Sequence, residues 1–122
     1  MGDLSANFSK SEFACPCCGQ SKMDAGFISR LQALRTEWGE PIRPVLGGGY
    51  RCVVYDGKAG SHTEGRAIDP DIGREDYHAF LEFALYYGFT GIGVKQKGGR
   101  FQMHIDDAEP AEGRPRPWVW TY

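Results

Sequence analysis

Seventeen glycines and seven prolines punctuate the 122 residues, so regular structure must come in short pieces around two longer stretches of helical pattern. The first runs from Met23 to Trp38. Asp24 can cap it, and Ile28, Leu31, Leu34 and Trp38 recur at helical spacing. Gly39 supplies the left-handed stop and Pro41 prevents the helix from resuming. The second runs from Arg74 to Tyr87, with Tyr77, Phe80, Leu81 and Ala84 as its inner stripe and Gly88 as its stop. Ser9-Lys10-Ser11-Glu12 has the form of a capping box and predicts a short helix near the N-terminus.

Between and after these helices the pattern is that of strands. Ile42 to Leu46 predicts a short strand, placed at an edge by Pro44. Gly47-Gly48-Gly49 opens a loop from Tyr50 to about Gly65, and a loop of that length in a small domain is usually functional. Ala67 to Asp69 predicts another short strand, closed by Pro70. Gly91 to Val94 and Phe101 to Asp106 predict two strands joined by the turn Lys95-Gln96-Lys97-Gly98-Gly99-Arg100. The tail ends Trp118-Val119-Trp120-Thr121-Tyr122, aromatic enough to pack back on the body. The whole predicts one α+β domain spanning residues 1–122, an antiparallel sheet packed with helices.

Composition narrows the function. Apolar residues make up 41% and charged residues 25%, which suits a globular fold able to bury a core without staples. A net charge of −2 with no basic run argues against nucleic acid as a partner, since phosphate binding needs clustered Lys and Arg. No stretch of about 18 apolar residues predicts a membrane span. Met1-Gly2-Asp3-Leu4-Ser5 lacks the basic and apolar regions of a secretory signal, so synthesis in the cytoplasm is expected. A monomer is expected. Cys15, Cys17, Cys18 and Cys52 allow three disulfide pairings. Cys15 and Cys18 also have the two-residue gap of a zinc knuckle, but no second gap or histidine completes the pattern. Buried thiols or a disulfide are therefore the expected role.

Two segments carry chemistry. Alternation along the last predicted strand puts Phe101, Met103 and Ile105 on a core face and Gln102, His104 and Asp106 on the other. Polar residues there also suit a merely solvated strand surface. Ser61-His62-Thr63-Glu64-Gly65-Arg66-Ala67-Ile68-Asp69 combines a loop histidine with an aspartate ending an apolar strand. A partly buried carboxylate needs a partner, be it a metal, an arginine or backbone donors. Taken with His104, these residues make two imidazoles and one carboxylate, the ligand chemistry of an open catalytic zinc site. His78 lies off the core stripe of its helix and predicts a surface residue.

Tyr50-Arg51, then Ser61-His62-x-x-Gly65-x-Ala67-x-Asp69, then His104-x-Asp106, resembles the D-alanyl-D-alanine metallopeptidase family, especially its small phage and bacterial members. The resemblance extends to the opening Phe8-Ser9-x-x-Glu12-Phe13-x-Cys15 and to the closing Trp118-x-Trp120-Thr121-Tyr122. It implies the fold shared with the hedgehog signalling domain. It implies zinc held by His62, Asp69 and His104, with Arg51 binding or polarising the substrate. It implies cleavage of peptide bonds in peptidoglycan stem peptides or cross-links, at the wall to which the enzyme must be delivered. The chain departs from the family where many members place a histidine two residues, or a carboxylate three, before the last ligand: Gln102 and Phe101 stand there. Asp106 is the nearest replacement as general base, with Glu64 the second candidate. A non-catalytic zinc-containing or wall-binding module on the same fold is the alternative.

Overall fold

The computed structural model describes residues 2–95, 98 and 101–122. Most of the expected turn, Gln96-Lys97 and Gly99-Arg100, lies outside the described residues. The chain opens with a 3-10 helix, Lys10–Phe13, whose Glu12 carboxylate accepts from the Ser9 N–H at 2.9 Å as the capping box requires. Helix α1 spans Ala25–Trp38. Asp24 caps it by accepting from Phe27 N at 2.9 Å, and Gly39 ends it at φ 81°. The predicted loop from Tyr50 contains a single helical turn, α2 (Val53–Asp56). The second predicted helix is divided: Arg74–Asp76 is a 3-10 turn and α3 runs Tyr77–Tyr86.

Four strands form one sheet: β1 (Ala67–Ile68), β2 (Gly91–Lys95), β3 (Gln102–Asp106) and β4 (Trp118–Thr121), in the order β1-β3-β2-β4. The architecture is α+β, as the sequence predicts, but the sheet is mixed rather than antiparallel. β3 pairs antiparallel with β1 and β2, whereas β4 runs parallel to β2. The aromatic tail is the cause. It crosses over after β3 and returns along the free edge of β2, so it arrives in the same sense as β2. The predicted strand over Ile42–Leu46 reduces to one bridge, Pro44 to Pro70. Proline has no N–H with which to continue a ladder.

One face of the sheet is core. Ile68, Ile92, Met103 and Ile105 pack with Phe27, Ile28, Leu31 and Leu34 of α1 and with Phe80 and Ala84 of α3, all buried. Burying each of these side chains larger than alanine stabilises the fold by roughly 1.5–3 kcal/mol. Trp38 meets the rings of Phe80 and Phe83 edge-on, each at 5.2 Å, and so locks the two helices together. Phe101 departs from expectation. It precedes β3, is 52% exposed, and lies under the Arg74 guanidinium at 4.7 Å.

The opposite face carries the polar groups. In register, Gly91 faces Asp106 and Gly93 faces His104 on one side, and the same two glycines face Trp118 and Trp120 on the other. A Cβ at Gly91 would collide with the Asp106 carboxylate, and one at Gly93 would meet the Trp120 indole at 3.0 Å. The two glycines leave a furrow in which an aspartate, a histidine and an indole fit side by side. Among the described residues no helix is long and apolar enough to cross a membrane.

Candidate metal centre

His62, Asp69 and His104 come from three separate segments. His62 lies in the turn after α2, which closes as Gly65, at φ 71°, returns its N–H to the His62 carbonyl at 3.2 Å. A side chain at Gly65 would strike the Lys22 carbonyl, so glycine is required there on two counts. Asp69 follows β1 and is stitched to the glycine loop: its N–H donates to Gly48 O at 2.8 Å and its carbonyl accepts from Val45 N at 2.9 Å. His104 is central in β3. All three are buried.

Their side chains converge. His62 Nε2 stands 3.2 Å from His104 Nδ1 and 3.3 Å from Asp69 Oδ1, and His104 Nδ1 stands 3.1 Å from Asp69 Oδ1. The group could hold a metal ion. Ligands that meet zinc at about 2.0–2.1 Å in tetrahedral directions lie about 3.3 Å from one another, so the observed spacings match that geometry.

The far nitrogens fix both tautomers. His62 Nδ1 faces the Gly49 carbonyl at 2.8 Å, an acceptor only, so Nδ1 carries the proton and Nε2 offers its lone pair. His104 Nε2 faces Asp106 Oδ2 at 2.6 Å and donates to it, which frees Nδ1. Gly49 cannot be replaced without disturbing this support, because a Cβ there would come within 2.6 Å of the Phe13 Cα.

The electrostatics follow from the same contacts. Burial raises the Asp69 carboxyl, but the His104 and His62 rings beside it, which hydrogen-bond to it and attract it when they carry a second proton, outweigh burial and hold the group well below the usual carboxylate range. Burial opposes charge on His104, yet Asp106 and Asp69 overcome it and raise the imidazole's proton affinity. A cation, whether proton or metal, is favoured between His104 and Asp69.

Asp106 has no exposed surface. Besides His104, it accepts from Arg116 Nε at 2.9 Å, from Arg116 NH2 at 2.7 Å and from Ala108 N at 3.2 Å. Burial raises its carboxyl, and His104 and Arg116 bring it down to about 2. It lies behind His104, on the side away from the three converging donors. Glu64 accepts from Arg114 NH1 at 2.9 Å and does not line the cleft beside the metal group.

That cleft has a volume of about 430 Å³. His62, Asp69 and His104 form its floor, with Arg51, Asp56, Lys58, Lys95, Gln102, Trp120 and Tyr122 around them. Arg51 is thus on the wall. Its Nε stands 3.2 Å from Asp56 Oδ1 but makes no hydrogen bond among the described residues. Trp120 leans against His104 with ring centroids 5.2 Å apart. The Tyr122 hydroxyl is pushed up to about 12, by burial first and then by the Asp69 charge. His78 is exposed and pairs with Glu82 one turn on, far from this chemistry.

Sequence reasoning misses Arg116, Asp56 and the Gly49 carbonyl. Arg116 sits in a proline-rich tail with no periodicity to aim it, and a backbone carbonyl has no sequence signal. Compared with known proteins, the chain matches no family model and no curated protein.

Proposed function

We propose that the chain is a zinc metallopeptidase acting on the peptide part of bacterial cell wall, as its resemblance to the D-alanyl-D-alanine metallopeptidases implies. One observation carries the metal: two imidazoles and a carboxylate converge at 3.1–3.3 Å, each imidazole holding its proton on the nitrogen that faces away. When bound, zinc supplies an acidified water and a Lewis acid for the scissile carbonyl.

The chain's own residues supply the rest. Gly49 O and Asp106 orient the two imidazoles. Arg51, on the cleft wall beside Asp56, can grip a substrate carboxylate with two hydrogen bonds, or stabilise charge developing on a carbonyl oxygen. Tyr122 keeps its proton at neutral pH and can donate it in a hydrogen bond inside the cleft. For the proton acceptor we take Asp56, the one side-chain carboxylate besides Asp69 among the described residues of the cleft wall, once Arg51, whose Nε stands 3.2 Å from it, turns to the substrate.

The engagement of Asp106 by Arg116, and of Glu64 by Arg114, also favours a second reading, a non-catalytic module on the same frame. Purified protein with zinc, incubated with peptidoglycan, separates the two. A peptidase releases new amino groups and stops when a chelator is added. Protein that sediments with every wall chemotype yet releases none is a binding module.

A further inference from the structure

We infer that the chain holds a second, structural metal ion, bound by the thiolates of Cys15, Cys18 and Cys52. The three sulfurs lie within 4.8 Å of one another, and Cys15 Sγ to Cys52 Sγ is 3.7 Å. Thiolates around a zinc ion at about 2.3 Å, in tetrahedral directions, are spaced about 3.8 Å apart. The four cysteines are free thiols.

The backbone around Cys15 has the form that such a site needs. Cys15-Pro16-Cys17-Cys18-Gly19 is a tight turn: Gly19 N donates to Cys15 O at 2.8 Å, Cys15 N donates to Gln20 O at 2.8 Å, and Gly19 adopts φ 73°. The turn brings two cysteines with a two-residue gap to one side. Cys52 N donates to Cys15 Sγ at 3.4 Å. Burial pushes the Cys15 thiol up, but N–H groups of Cys52, Cys18 and Cys17 outweigh it and bring it to about 6. Soft thiolates select zinc over harder divalent ions.

The location gives the ion a purpose. It ties the N-terminal segment to a loop 37 residues further on, and the residue before Cys52 is Arg51. The same junction is held by Tyr50 N donating to Phe13 O at 2.9 Å. A metal clip here fixes the segment that presents Arg51 to the cleft, and its binding energy adds to folding. The inference stands independently of the hydrolytic reading, because no residue is shared between the two groups.

Cobalt(II) added to the reduced, full-length protein is the probe. A thiolate-bound cobalt gives intense sulfur-to-metal charge-transfer absorption in the near ultraviolet, which an imidazole–carboxylate site cannot produce. The expected result is that absorption at one equivalent of cobalt, lost in Cys18→Ser and in Cys52→Ser while a second equivalent stays bound. Absence of the absorption from the wild type overturns the inference. Should the serine variants fail to fold, the wild-type protein still decides. Alkylation followed by mass spectrometry should find Cys15, Cys18 and Cys52 protected in the zinc-loaded protein and labelled after chelation. Equal labelling in both states, or a Cys15–Cys52 disulfide in the zinc-containing protein, overturns it.

Discussion

His62 Nε2 and His104 Nδ1 face each other at 3.2 Å across 42 residues of sequence, with Asp69 Oδ1 in reach of both. Two imidazole lone pairs brought together in a buried place repel unless a cation lies between them. The chain supports this approach from behind with an aspartate and a backbone carbonyl, and in front with a third donor. Such an arrangement is costly to build without an ion or a proton to hold.

Asp106→Asn tests what stands behind His104. The amide keeps the shape but accepts the Nε2 proton less strongly, so zinc affinity should fall by about 10–100-fold and activity should return in excess zinc. Zinc titration with a competing chelator measures the first effect, and turnover against zinc concentration the second. A hundredfold loss of turnover with zinc fully retained would make Asp106 the general base instead.

Asp56→Asn examines the proton acceptor. Turnover on a wall peptide should drop by on the order of a hundredfold or more while zinc content is unchanged. Kinetics equal to wild type would remove Asp56 from the chemistry.

For Arg51, the informative change is Arg51→Lys, which keeps the charge and discards the planar fork. Activity should fall well below half, with zinc retained. Unaltered kcat and KM would assign Arg51 to partnering Asp56 alone.

The Tyr122 hydroxyl provides a pH-dependent signal. Its folded value of about 12 lies above the ordinary tyrosine value of 10, so the neutral form contributes stability that is complete below about pH 10 and is lost as pH rises through about 12. Tyrosinate absorbance should show a late step near pH 12 that disappears in Tyr122→Phe. Because the Asp69 charge is part of the cause, zinc bound at Asp69 should move that step to lower pH. An unmoved step in zinc-loaded protein would separate Tyr122 from the metal group.

The sequence makes some of this legible and hides the rest for physical reasons. Both helices could be read because their stripes and stops are local: Asp24 caps, and Gly39 turns. His62, Asp69 and His104 could be named because their residue types make a metal-ligand set and the motif around them resembles that of the D-alanyl-D-alanine metallopeptidases. The parallel pairing of β4 could not, since it depends on where a long crossing returns. Phe101 escapes the alternation because the strand begins at Gln102, and alternation holds only within a strand. The position of Asp106 behind His104 has no sequence signal, because strand alternation gives a face and not which imidazole nitrogen is met. The convergence of Cys52 on Cys15 was equally invisible, with 37 residues between them.

Zinc content after gel filtration, compared between wild type, His62→Ala and His104→Ala, tests most directly whether His62, Asp69 and His104 close around one ion. Each variant should lose one equivalent relative to wild type and keep any zinc bound by the cysteines. Full wild-type zinc in both variants would contradict the assignment of the centre.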